Sequence, residues 1–599
     1  MNSLNLNFND ENILNRKNNN YHLTIDSYKE EIEQKNLNLR KQHIKNYIIK
    51  KRIIKNNFNK DDNLILELSD LEKNLPNELT KEFDIYEGKL DVINQFLNNN
   101  FSLLDNLTFN KNDVIKYSLV KLRNLSIEEN FNNLIIENKK IIDSIFNSLL
   151  TLLFNSYNAQ ILYEITFILI NFTVEKNYSI KLERIDVWKK LYEIFYLYNN
   201  YYLNSNILWL FRNIIFEDSI ALYIFKEIEF KKMFNDFLNF CCNNLTIINY
   251  EDLTQIILLI KECINYNKSR FVYEMNFCYN NLIKLFLNIS GLINQDYINK
   301  TSFNNKINII NFLENTINIF SLILRNSAEN YNEIKENNKN NNIDYLNYFY
   351  SESFLINFTI LLKQLINKPI LYDNDDLCIS LYIEIYNFIG ISLSTELFIN
   401  DLKIYRNNGY IPITELIVQN FENNYNNDDL LKKIIFSLSN YVFISEEFCN
   451  DIIKSNIIEN LYKYINKFEN NEILVLKECY YLFNNLYYKG NQLFKNKENY
   501  GVLQIVIEII VIILTEYLNG FEEKKLINIY FKCIYLLNEL IKYIKNLENI
   551  DDNDEIKSLL NHILIFMENK GIKDTFEKIE NEYDDLNITN LINYIKLQI

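Results

Sequence analysis

Two segments decide the fold: Leu431-Lys-Lys-Ile-Ile-Phe436-Ser-Leu-Ser-Asn440 and Lys477-Glu-Cys-Tyr-Tyr481-Leu-Phe-Asn-Asn485. In the first, Leu431, Ile434, Ile435 and Leu438 follow the three- and four-residue spacing of one helix face. In both, an aromatic stands four residues before an Asn, late in an apolar helix. The same pairing occurs at Phe167 with Asn171 and at Trp209 with Asn213. Asn171 and Asn213 are 42 residues apart, and Asn440 and Asn485 are 45 apart. A recurring helical pattern at a fixed period predicts a repeat array.

A second pattern lies between these helices. Asn408-Gly409 through Pro412, Lys454 through Ile465, and Tyr500-Gly501 through Ile510 each read as a break followed by a fresh apolar helix. A short helix, a break and two long helices form a unit of roughly 40–47 residues, the period of armadillo and HEAT arrays. One such unit cannot bury its apolar face alone, so units stack. The expectation is an all-α armadillo-repeat solenoid, a right-handed superhelix of about ten units.

Composition agrees. The chain has 599 residues, more than one ordinary core accommodates, and 48% are hydrophobic. Only 8 Gly and 3 Pro leave few of the turn positions that sheet folds need. Asn is about one residue in six, far above ordinary usage, which weakens any reading of a single Asn. The net charge of −16 argues against nucleic acid and for basic partners. Eight Cys without a Cys-x-x-Cys pair, and no pattern of a secretory leader, point to reduced, mostly buried thiols.

Catalysis finds little support. Of the three histidines, His22 and His43 lie in the polar N-terminal stretch and His562 sits in a helical apolar pattern. No His/Cys cluster has zinc spacing, and no Gly-rich phosphate loop occurs. The acidic runs 373–376 and 551–554 lack the Gly and terminal Glu of a calcium loop. Neither an enzyme, nor a metal site, nor a cofactor is expected. Val502–Leu514 is the most apolar run, but Glu508 interrupts it, and it is shorter than a span of about 20 residues. It reads as a buried helix, not a membrane segment.

Three regions follow. Residues 1–60 form a polar tail, basic from Lys35 to Lys60 and expected to be mobile. Residues 61–100 are a linker with a leading helix, and 101–599 carry the repeats, broken by the polar run Lys335–Asn342.

The order of these features resembles the importin-alpha family, whose repeats carry a Trp-x-x-x-Asn array. Residues 431–465 and 477–510 follow two adjacent repeats of that family, and 567–595 look like its final short repeat. Leu39-Arg40-Lys41 and Lys50-Lys51-Arg52 resemble its importin-beta-binding segment. The family's first basic cluster is here the acidic Tyr28–Glu33, and of its Trp positions only Trp209 is kept. The resemblance implies a nuclear import adaptor of cytoplasm and nucleus. Its implied partners are importin-beta, through Arg40, Lys41, Lys50, Lys51 and Arg52, basic cargo peptides, and an export receptor at the C-terminal repeats.

The residue types suit such a task. Asn offers a donor and an acceptor to a peptide backbone of any sequence. Aromatic faces attract lysine by roughly 0.5–2 kcal/mol, and an acid at the end of the slot selects the ammonium. The expected major cargo site is Trp209, Asn213, Glu217, Phe167 and Asn171. The expected minor site is Phe436, Asn440, Tyr481, Asn485 and Asn387. Trp188, in an intervening helix, reads as core. The alternative to an adaptor is an armadillo scaffold for another extended or helical partner.

Overall fold

The computed structural model describes chiefly residues 66–73, 89–98, 110–128, 131–173, 175–198, 200–215, 226–266, 276–293, 302–337, 375–394, 427–467, 473–516, 524–550, 554–582 and 586–598. All regular structure among them is helical. The chain divides into two compact units, residues 1–220 and 221–599. The fold is all-α, built from repeated helices.

In the N-terminal unit, α1 (Lys89–Leu97), α2 (Lys111–Ser126), α3 (Lys139–Asn155), α4 (Ala159–Phe172), α5 (Ile185–Tyr198) and α6 (Tyr201–Ile214) alternate between two rows. α2, α4 and α6 pack in series, as do α1, α3 and α5. Short helices Phe131–Glu137 and Lys176–Lys181 precede α3 and α5 and complete three-helix units. Every residue from Ile161 to Ile170 on α4 is buried, as is Leu203–Phe211 on α6. Trp188 of α5 is core, its indole N–H donating to the Leu182 carbonyl at 3.0 Å.

The C-terminal unit begins with α7 (Ile228–Asn243), α8 (Tyr250–Tyr266), α9 (Asn276–Ile293), α10 (Phe303–Asn337) and α11 (Asp375–Ser394). It continues with α12 (Asp428–Ile444), the short α13 (Glu446–Lys454), α14 (Ile457–Lys467), α15 (Ile473–Gly490), α16 (Tyr500–Glu516), α17 (Lys524–Ile550), α18 (Asp554–Asn569), α19 (Ile572–Glu582) and α20 (Leu586–Lys596). A single file of contacts runs α8, α10, α11, α12, α15, α17, α20. Phe286, Phe320, Phe354, Phe358 and Phe388 form a cluster of rings in this unit, with Phe358 stacked on Phe388 at 4.7 Å.

Some of the surplus Asn serves helix starts. The carboxamide oxygens of Asn110, Asn158, Asn200 and Asn427 accept first-turn N–H groups of α2, α4 and α6 in the N-terminal unit and of α12 in the C-terminal unit. Such caps supply partners that the first turn of a helix lacks. Gly571 has φ +68, the left-handed conformation that ends α18 and turns the chain into α19.

Two helices, Asn305–Arg325 and Lys497–Thr515, are by length and composition apolar enough to cross a membrane. Their apolar windows are 61% and 67% buried inside the fold, so packing accounts for them here. Within the second, Glu508 is buried and accepts from Gln504 at 2.8 Å, with the His562 ring at 3.2 Å. The seven described cysteines are all buried free thiols, and burial pushes the thiol pKa of Cys242 up to about 11.

Candidate functional site

The sequence points to Asn and aromatic side chains on the helices that pack in series within each unit. The Asn amides are engaged within the fold. Asn213 donates to the Ile170 carbonyl at 3.1 Å and to Thr173 Oγ1 at 3.0 Å. Asn485 donates to the Ser439 carbonyl at 2.7 Å and to its Oγ at 3.1 Å. Asn440 donates to the Gly390 carbonyl at 2.8 Å, and Asn171 to Ser126 Oγ at 2.8 Å.

These bonds share one register. Ile170 immediately precedes Asn171, and Ser439 immediately precedes Asn440. Asn213 and Asn485 therefore bind the helix before them, one residue short of that helix's own Asn, and Asn440 and Asn171 reach the equivalent place at Gly390 and Ser126, where Ile follows instead. On the other row, Asn288 of α9 donates to the Cys242 carbonyl at 3.1 Å, one residue before Asn243 of α7. Asn243 and Asn288, 45 residues apart, were legible at the repeat spacing but carry no aromatic four residues earlier. The recurring Asn is thus an inter-helix fastener. It gives a polar group near the end of the preceding helix a donor from the next helix, a carbonyl at Ile170, Gly390, Ser439 and Cys242 and a hydroxyl at Ser126.

The same register relocates Asn387. Gly390 stands where Ser439 stands one helix later, so Asn387 occupies the place of Phe436 and Tyr481. Its carboxamide oxygen accepts from Lys433 Nζ at 3.0 Å. The Phe436 ring packs on Gly390, where an added Cβ would lie 2.3 Å from Phe436 Cε1.

The aromatic members differ between the two units. Trp209 is 8% exposed and Phe167 5%, so both are core-like side chains in the N-terminal unit. Glu217 lies outside the described residues, as do Arg40, Lys41, Lys50, Lys51 and Arg52. In the C-terminal unit Phe436 and Tyr481 are half-buried. Beyond them the strip opens: Phe443 is 41% exposed, Tyr488 43% and Tyr535 37%. Phe443 and Tyr488 stand three residues after Asn440 and Asn485 respectively, and burial, then the neighbouring Tyr535, push the Tyr488 phenol pKa up. This exposed strip was absent from the sequence expectation, although its three-residue offset from the Asn pair repeats with the same 45-residue period.

Lysines lie over these rings. Lys489 Nζ is 4.8 Å from the Phe443 centroid, Lys532 Nζ 5.5 Å from Tyr481, and Lys433 Nζ 6.0 Å from Phe436. Burial, and then the Arg325 guanidinium, push the Lys433 ammonium down to about pKa 8, against the pull of Glu384 and Glu478. Among the described residues no group of three His, Cys, Asp or Glu is placed to hold a metal ion.

No family model matches the sequence, and no curated protein matches it. Solved structures do match. An engineered protein is 11% identical with TM-score 0.46, over 80% of this chain and 98% of its own. A structure described for a phosphorylation switch in the cadherin and beta-catenin interaction is 10% identical with TM-score 0.49, over 84% and 90%. The SYS-1/POP-1 complex gives 10% identity and TM-score 0.32, over 89% and 100%.

Proposed function

We propose that this chain is a protein-binding helical-repeat scaffold that receives an extended peptide along α12, α15 and α17. One observation carries it: Phe443, Tyr488 and Tyr535 are exposed aromatics on three successive packed helices. Large exposed aromatics gathered on one face are the residues that dominate binding surfaces. Asn485 holds α15 on α12, and the Tyr487 hydroxyl donates to the Glu539 carbonyl of α17, so the strip is ordered before any partner arrives.

A finer reading is the import adaptor, which binds lysine-rich localisation signals and links them to importin-beta. It is supported by the resemblance of Arg40–Lys41 and Lys50–Arg52 and by the repeated aromatic–Asn pairs. It requires aromatic slots open to cargo lysines. Those at Phe436 and Tyr481 already lie under the chain's own lysines, and Trp209 is buried. The scaffold is therefore the reading the geometry favours.

Fluorescence anisotropy tests it, with the full-length protein and three labelled Ser/Thr-rich peptides carrying regularly spaced Glu, Lys or Gln. At least one peptide should bind the wild type, and Phe443→Ala/Tyr488→Ala/Tyr535→Ala should weaken it at least about tenfold. No binding by any peptide, or equal binding by the triple variant with an unchanged melting curve, defeats the proposal.

A further inference from the structure

We propose that the strip on α12, α15 and α17 is specific for an acidic extended peptide, because exposed lysines of the chain itself lie over Phe443 and Tyr481. This rests on the scaffold reading above and names the class of partner.

Three rings on this strip each carry a resident ammonium: Lys433 on Phe436, Lys532 on Tyr481 and Lys489 on Phe443. Two of the three come from the helix that follows the ring. Lys489 of α15 covers Phe443 of α12, and Lys532 of α17 covers Tyr481 of α15. Each ring's attraction for a cation is therefore satisfied intramolecularly. A cargo lysine would have to displace a tethered competitor. If it entered beside one, two like charges about 5 Å apart would repel by roughly 1–3 kcal/mol at effective dielectrics between 20 and 80.

A carboxylate meets the reverse situation. Lys489 and Lys532 are exposed, and Lys489 has no ion pair among the described residues. Their ammonium groups are fixed on aromatic faces, so less side-chain freedom is lost when an acid pairs with them. Glu384 and Glu478 act on Lys433. Glu539 acts on Tyr488 and is itself paired with Lys542 at 3.3 Å. Glu446 and Glu447, at the start of α13, are exposed and add repulsion for an acidic partner.

The register also sets the spacing. Phe443 lies seven residues after Phe436, the counterpart of Tyr481, so the two lysine positions differ by about 10 Å along the helix axes. They also differ by one helix spacing of about 8–10 Å. The diagonal is about 14 Å, which an extended chain covers in about four residues. The matching ligand carries acids at every fourth position.

The test uses the full-length protein and Ser/Thr peptides with Glu, Lys or Gln at every fourth position. The Glu peptide should bind at least about tenfold tighter than the other two and weaken with added salt. Lys489→Glu/Lys532→Glu should lose that preference, whereas Lys489→Arg/Lys532→Arg should retain it. Both lysines are on the surface, and thermal unfolding of each variant checks that the fold persists. Preferential binding of the Lys peptide, still sensitive to the aromatic triple variant, overturns the acidic specificity and leaves the scaffold reading standing. Binding of no peptide overturns both.

Discussion

The side-chain amide of Asn485 donates to both the carbonyl and the hydroxyl of Ser439, 46 residues earlier and one helix back in the file. Both partners are buried. An Asn placed by its spacing as a peptide ligand thus holds α15 against α12, and the same geometry recurs at Asn440, Asn213 and Asn288.

Replacing Asn485 with Leu should therefore cost stability. The Ser439 carbonyl and hydroxyl would lose the donor that comes from α15 in a buried site, a loss of about 1–3 kcal/mol. Chemical denaturation of wild type and variant measures it. An unchanged midpoint would show that the amide bond contributes nothing and would restore Asn485 to the role of ligand.

Gly390 should tolerate no side chain. An alanine Cβ would meet Phe436 at 2.3 and 2.4 Å from two ring carbons, which requires α11 and α12 to separate or the ring to rotate. Gly390→Ala is expected to destabilise by about 1–3 kcal/mol. Phe436→Ala in the same chain should recover part of that loss, so a double-mutant cycle over the two positions should show clear coupling.

Arg123 and Glu164 form a buried ion pair at 2.6 Å that ties α2 to α4, and Arg123 also donates to the Leu66 carbonyl. Removing one partner leaves a buried charge, so Arg123→Met or Glu164→Leu alone should cost about 3–5 kcal/mol. The double replacement should cost less than either. Equal, additive losses in denaturation would contradict the pairing.

Lys433 should make stability depend on pH. Its folded pKa of about 8 lies below the ordinary value of 10.5. Between those values the unfolded chain binds more protons, so stability rises with pH across that window and the penalty is fully present below it. Lys433→Met removes the penalty. The variant should be more stable than wild type at pH 7 by roughly 1–3 kcal/mol, with the gap closing toward pH 10. Denaturation of both proteins at the two pH values checks the sign.

What the sequence by itself determined is the helical array. Apolar spacing at 431, 434, 435 and 438, the scarcity of Gly and Pro, and the 42- and 45-residue returns of Asn all follow from local rules of helix and repeat. The core role expected for Trp188 is what the structure shows. The tertiary structure alone decided what the recurring Asn binds, since its partner carbonyl lies one unit away and a carbonyl carries no sequence signature. It also decided which aromatics reach solvent. Trp209 and Phe436 share one motif, yet Trp209 is buried within the N-terminal unit while the strip beyond Phe436 opens at Phe443, Tyr488 and Tyr535. Whether a ring is core or surface depends on what packs over it, and lysines 45 or more residues downstream lie over Phe443 and Tyr481, beyond the reach of any local pattern.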